Sequence, residues 1–95
     1  MKDNNIKQLC EALLLIETKE EAYNFLKDLC TPTELSALAE RWQICKSLNE
    51  GISYRDIHYQ LGASLTTIGR VARFLKDEPY KGYVTLLQKI KDKSE

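Results

Sequence analysis

Residues 53–76, SYRDIHYQLGASLTTIGRVARFLK, leave the chain few ways to fold. Ile57 and Leu61 stand four apart, Gly62 follows at once, and Leu65, Ile68, Ala72 and Leu75 resume at offsets of three, four and three. That spacing predicts two short amphipathic helices, separated by a glycine that can take the left-handed backbone a Cβ-bearing residue resists. Two helices this near in sequence must pack at an angle through a tight turn, the arrangement of a helix-turn-helix. Ser53 with Asp56 forms a capping box with Asp in place of Glu, and Ser64, close to the hydroxyls of Thr66 and Thr67, can cap the second helix.

With the apolar set inward, Thr66, Thr67, Gly69, Arg70 and Arg73 face out. These are short polar groups and cations, which let a helix backbone approach base edges while Arg55, Arg73 and Lys76 reach phosphates or guanine edges. Gly69 costs about 1 kcal/mol of helix propensity relative to Ala, and close approach to a duplex is a compensation for it. The charge distribution points the same way. The net charge is zero, yet residues 1–50 hold 6 Lys/Arg against 9 Asp/Glu and residues 51–95 hold 8 against 5. Within 53–76 the balance is Arg55, Arg70, Arg73 and Lys76 against Asp56, which concentrates phosphate neutralisation in one segment.

The flanks read as helices as well. Ile6, Leu9, Cys10, Leu13, Leu14 and Ile16 predict a first helix with a wide apolar stripe that needs a partner. Thr18 with Glu21 opens a second, facing Ala22, Phe25, Leu26 and Leu29 inward and closing at Cys30. Thr31, Pro32 and Glu34 supply cap, first-turn proline and box partner for a third helix running to about Glu50, with Leu35, Leu38, Ala39, Trp42, Cys45 and Leu48 inward and Gly51 ending it. Asp77-Glu78-Pro79 breaks the chain, and Tyr83, Val84, Leu86, Leu87 and Ile90 mark a last helix. The expectation is an all-α chain of six helices, one domain over 1–95, with outer helices that pack between molecules.

Three cysteines without CxxC spacing fit a reducing cytoplasm. The start MKDNNIKQL has no signal-peptide core and no apolar run approaches a membrane span, so neither secretion nor membrane insertion is expected. His58 is the sole histidine, which argues against a metal site, and no nucleophile–base pair, phosphate loop or carboxylate pair suggests an enzyme or a cofactor.

TPTELSALAERWQICKSLNEG followed by SYRDIHYQLGASLTTIGRVARFLK resembles the tryptophan repressor family, and within it the bacterial YerC/YecD-type relatives. The resemblance rests on Thr31-Pro32-x-Glu34, Ala37-Leu38, Arg41, Ile44, Leu48, Gly51, Leu61-Gly62-Ala63, Thr67-Ile68, Arg70 and Leu75-Lys76, with one residue fewer in the loop after Gly51. The outer helices match in pattern more than in letters. The resemblance implies an intertwined homodimer whose two recognition helices meet successive major grooves of a palindromic operator. It also implies that Arg55 contacts base or phosphate, that Leu65, Thr66 and Gly69 face the groove, and that His58 and Lys76 lie on the phosphate side. With Ser64, Thr67, Arg70 and Arg73 these make the expected face for double-stranded DNA.

The same resemblance places a ligand pocket at Thr31, Arg41, Arg70, Val71 and Phe74. In tryptophan-binding members two arginines flank the indole, and Arg41 and Arg70 stand in those places, while Thr31 matches a threonine at the ligand's polar end. Val71 and Phe74 replace a glycine and a serine, adding bulk where the ligand would lie. The expectation is that the Phe74 ring plugs the slot between two guanidiniums, a favourable arrangement, and that the protein acts without tryptophan or answers a different signal. The chain is thus expected to be a non-enzymatic, DNA-binding transcriptional regulator, a repressor rather than an activator, working as a homodimer.

Blander roles stand beside these. Arg70 and Arg73 also suit a solvated helix face, Arg41 an ion pair with Glu40 or with an acid of a partner chain, and Trp42 a core or dimer interface. Tyr54 and Tyr59 fit either phosphate contact or packing. The competing function is a helical protein-interaction module whose basic face meets an acidic protein.

Overall fold

A computed structural model describes residues 2–94. Among them there are six α-helices and no strand: α1 (Lys2–Leu14), α2 (Lys19–Leu29), α3 (Pro32–Asn49), α4 (Tyr54–Leu61), α5 (Leu65–Lys76) and α6 (Gly82–Ser94). They gather into two compact units, Met1–Ser36 and Ala37–Glu95.

In the first unit, helix starts are set by side-chain caps. The Thr18 hydroxyl accepts from the Glu21 N–H at 3.0 Å, and the Glu21 carboxylate accepts from the N–H of Glu17, one residue before the cap, at 2.8 Å. Thr31 and Glu34 form the reciprocal box in full: the Glu34 N–H donates to Thr31 Oγ1 at 3.2 Å and the Thr31 N–H donates to the Glu34 carboxylate at 2.8 Å. α1 ends at Leu14, so Ile16, expected within it, lies in the turn that follows. Neither α1 nor α2 has a buried residue.

The Thr31 backbone N–H, and then its hydroxyl, hold the Glu34 carboxyl below its usual pKa. A carboxylate depressed in the fold stabilises it above the unfolded value and loses that contribution as pH falls through the folded one. Glu34 is therefore expected to titrate below the ordinary glutamate value in a carboxyl NMR titration, with first-turn amides of α3 losing exchange protection together with it. Glu34→Gln, which keeps the acceptor but not the charge, should abolish that pH dependence; an unchanged pH profile in the variant would refute the assignment.

The second unit holds the core. Ile44, Cys45 and Leu48 of α3, Ile57 of α4, Ala63 in the turn, and Ile68, Val71, Ala72 and Leu75 of α5 are buried together, with Trp42, Ile52, Tyr83 and Leu87 packed around them. α4 packs on α5, and α5 on α6. The sequence pattern missed Ile44 and Ala63 as core residues, and it placed Leu38 and Ala39 inward where both are exposed. α3 carries apolar residues on more than one side, so periodicity alone does not say which side meets the rest of its own chain. Burial pushes the Cys45 thiol pKa up, whereas Cys10 is exposed and Cys30 half-buried.

Candidate nucleic-acid interface

The turn between α4 and α5 is built by three devices. Ser53 caps α4 by accepting from the Asp56 N–H at 3.2 Å; the Asp side chain makes no return bond, so only half of the box forms. Gly62 closes α4 at φ 70 and ψ 13, the left-handed conformation its position demands, with its N–H on the His58 carbonyl at 3.0 Å. Ser64 then opens α5, accepting from the Thr67 N–H at 3.1 Å while its hydroxyl donates to Thr67 Oγ1 at 2.9 Å.

A third link was not visible in the sequence. His58 Nδ1 lies 2.6 Å from the Ala63 carbonyl oxygen. A carbonyl only accepts, so the ring proton sits on Nδ1 and the side chain clamps the turn. Nε2 of the neutral ring is then an acceptor, so this histidine donates to a phosphate only when doubly protonated. The structure thus ties His58 first to the shape of the motif.

On α5 the buried set Ile68, Val71, Ala72 and Leu75 leaves Leu65, Thr66, Arg70, Arg73 and Lys76 exposed, with Thr67 and Gly69 half-buried. Leu65, first grouped with the inward residues, is 56% exposed and belongs with the outer face. A Cβ built on Gly69 meets nothing within 4 Å, so no neighbour in this chain requires glycine there. Arg55 is exposed on α4 beside Asp56.

The expected pocket residues are distributed differently from one another. Val71 is 1% exposed and part of the core. Phe74 is half-buried, with the Arg70 guanidinium 4.5 Å from its ring centre and the Arg73 guanidinium 5.5 Å away. The ring does sit with two guanidiniums, but the second belongs to Arg73, one residue before it, rather than to Arg41 on α3. Arg41 is half-buried and forms no ion pair with Glu40; among the described residues the ion pair formed is Arg73–Glu78. Thr31 is occupied as the cap of α3.

Tyr80 and Tyr83, to which the sequence assigned no site role, complete this region. Tyr80 stacks on Phe74, the ring centres 6.4 Å apart and the planes 12° from parallel. Tyr83 stacks on Trp42 at 6.4 Å and 28°. Burial, more than any other cause, pushes the Tyr83 pKa up; Cys45 adds to the rise, and the positive charges of Arg41 and Arg70 pull against it. Phe74, Tyr80 and Tyr83, with Gly82, Thr85 and Leu86, line a cleft of about 540 Å³ between the end of α5 and α6.

A capped two-helix motif with a cationic outer face, set in an all-helical frame, defines the helix-turn-helix regulators. The chain belongs to the Trp repressor family: the family model described as Trp repressor protein matches residues 4–91. It is 39% identical over 75 residues to YerC of Bacillus subtilis (strain 168), an uncharacterized protein, covering 79% of this chain and 72% of that one. Its fold is similar to two crystal structures, each at a TM-score of 0.86 and 35% identity over 93% of this chain. One is a protein from Staphylococcus aureus described as a candidate Trp repressor, covered over 87% of its chain; the other is a TrpR-like protein from Eubacterium eligens ATCC 27750, covered over 90%. The chain is thus a YerC-type relative within a family of non-enzymatic helix-turn-helix regulators. No helix among the described residues is long and apolar enough to cross a membrane.

Proposed function

We propose that the protein is a transcriptional repressor that binds a palindromic operator as a homodimer, each copy laying α5 in a major groove, in the bacterial cytoplasm and without tryptophan as corepressor. The observation that carries this reading is Gly69. It stands in the middle of a 12-residue helix, on the face of Thr66, Arg70 and Arg73, with open space where a Cβ would be. A mid-helix glycine with no neighbour of its own chain to accommodate makes physical sense when another molecule's surface approaches the backbone. Leu65 and Thr66 in the first turn meet base edges, Ser64 and Thr67 hold that turn, and Arg55, Arg70, Arg73 and Lys76 supply the cations.

Dimerisation is supported by what each unit leaves uncovered. α1 and α6 have no buried residue, and Leu14, Leu15 and Ile90 are 85%, 78% and 48% exposed. Helices that leave this much apolar surface uncovered in their own chain call for a second one. A two-fold dimer then sets its recognition helices roughly 34 Å apart, one turn of duplex.

The absence of a tryptophan requirement is supported by Phe74. Its ring already holds the Arg70 guanidinium at 4.5 Å, occupying with a side chain of the protein the kind of contact an indole would make. Selection of genomic fragments by the purified protein at fixed salt, with and without tryptophan, tests the whole reading. The expected result is one palindromic site enriched equally in both. Enrichment only with tryptophan would overturn the occupied slot, and no enrichment in either would favour a protein partner for the basic face.

A further inference from the structure

Resting on that reading, we propose that Glu78 is a specificity-determining residue of the DNA face: its carboxylate holds Arg73 in place and cancels its charge, suppressing attraction to arbitrary duplex while leaving the outer edge of the guanidinium free to bond. Arg73 Nε donates to Glu78 Oε2 at 3.1 Å, with side chains 64% and 26% exposed. Glu78 is itself fixed. Its backbone N–H donates to the Arg73 carbonyl at 3.1 Å, joining that of Asp77 on the same oxygen at 2.8 Å, so one residue is gripped at both its backbone and its guanidinium. The Phe74 ring centre lies 5.5 Å from that guanidinium, and Tyr80 stacks on Phe74.

The chosen nitrogen matters. Arginine has one N–H on Nε and four on its two terminal nitrogens, and the terminal fork makes bidentate bonds to phosphates and guanine edges. A carboxylate on Nε restrains the group without using that fork. Phosphate contacts add affinity that carries no sequence information, in proportion to the positive charge they bring. An arginine already facing a carboxylate brings less charge to an arbitrary duplex, yet arrives at a matching site with its orientation set. The ratio of specific to non-specific binding rises as a result.

The test compares wild type with Glu78→Gln, Asp77→Asn, Arg73→Ala and the Arg73→Ala/Glu78→Gln double variant, on random-sequence duplex and on the duplex recovered by selection, over a salt series. Glu78→Gln keeps an oxygen that accepts from Arg73 Nε, so the fold is retained. It is expected to tighten random-duplex binding about fivefold and to steepen the log–log salt slope by about 0.9 per copy, while the selected duplex changes by less than about twofold. Asp77→Asn removes the same charge one residue away, at a side chain with no hydrogen bond or ion pair among the described residues, and is expected to leave the ratio unchanged. In the Arg73→Ala background the effect of Glu78→Gln should vanish. Equal effects of Glu78→Gln and Asp77→Asn, or an effect that survives Arg73→Ala, would overturn the proposal as generic electrostatics. Wild type binding no duplex at all would overturn the DNA-binding reading, and this one with it.

Discussion

Raising monovalent salt from about 50 to about 200 mM is expected to weaken binding to the selected duplex roughly a thousandfold. Arg55, Arg73 and Lys76 are exposed cations on the face proposed to meet DNA, and the proposed dimer doubles them. Six neutralised phosphates give a log–log slope of about −5 on B-form DNA, because each contact releases condensed counterions whose entropy of release falls as bulk salt rises. Glu78 beside Arg73 softens the slope and a fourth cation, Arg70, steepens it if it leaves Phe74 for a phosphate. An acidic protein partner has no comparable density of condensed ions, so its binding would fall by far less over the same interval. Affinity measured by fluorescence anisotropy at several salt concentrations decides between the two. A slope shallower than about −2 would remove duplex DNA as the partner of this face.

The elements of the fold were legible where local chemistry dictates them. Thr18, Thr31, Ser53 and Ser64 each accept the backbone hydrogen bond expected of a cap, and Gly62 has the positive φ that the turn requires. Such features need only residues three or four apart. What escaped the sequence depends on the chain returning to itself. The Arg73–Glu78 pair spans five residues, one more than a helix face permits, and exists because α5 stops at Lys76 and the chain turns. The acids after α5 were read only as a break. His58 on the Ala63 carbonyl likewise depends on how Gly62 bends the backbone. Lys81 at φ 62 has no signal at all, being a side-chain-bearing residue in a conformation usually left to glycine.

The candidate site divides in the same way. The outward face of α5 follows from helical period once Ile68, Ala72 and Leu75 are taken as core. Which guanidinium lies on Phe74 does not, because Arg70 and Arg73 reach it from its own helix while Arg41 comes from another. Tyr83 was legible only as part of an apolar stripe and Tyr80 had no reading at all, because their partners Trp42 and Phe74 lie on other elements.

Ile68→Ala is expected to cost roughly 2–5 kcal/mol of stability, the usual loss when a buried isoleucine leaves a cavity its neighbours only partly fill. Ile68 is 0% exposed and sits on α5 within the core that also holds Ile44 and Ile57, also at 0%. For a domain of this size total stability is of the order of 5–15 kcal/mol, so the variant should unfold at a urea midpoint lower by about 1–2 M. Protein concentration must be held constant, since association of two chains adds to apparent stability. Three residues earlier on the same helix, Leu65 is 56% exposed, and Leu65→Ala should change stability by no more than about 0.5 kcal/mol. It should nonetheless weaken binding to the selected duplex, because its side chain stands in the first turn of α5, on the face proposed to meet base edges. The pair separates the two faces of α5: one substitution lowers the stability of the fold, the other weakens binding and leaves stability nearly unchanged. An Ile68→Ala loss below about 1 kcal/mol would contradict the core assignment. A Leu65→Ala variant with unaltered affinity would move the groove-facing surface away from the first turn of α5.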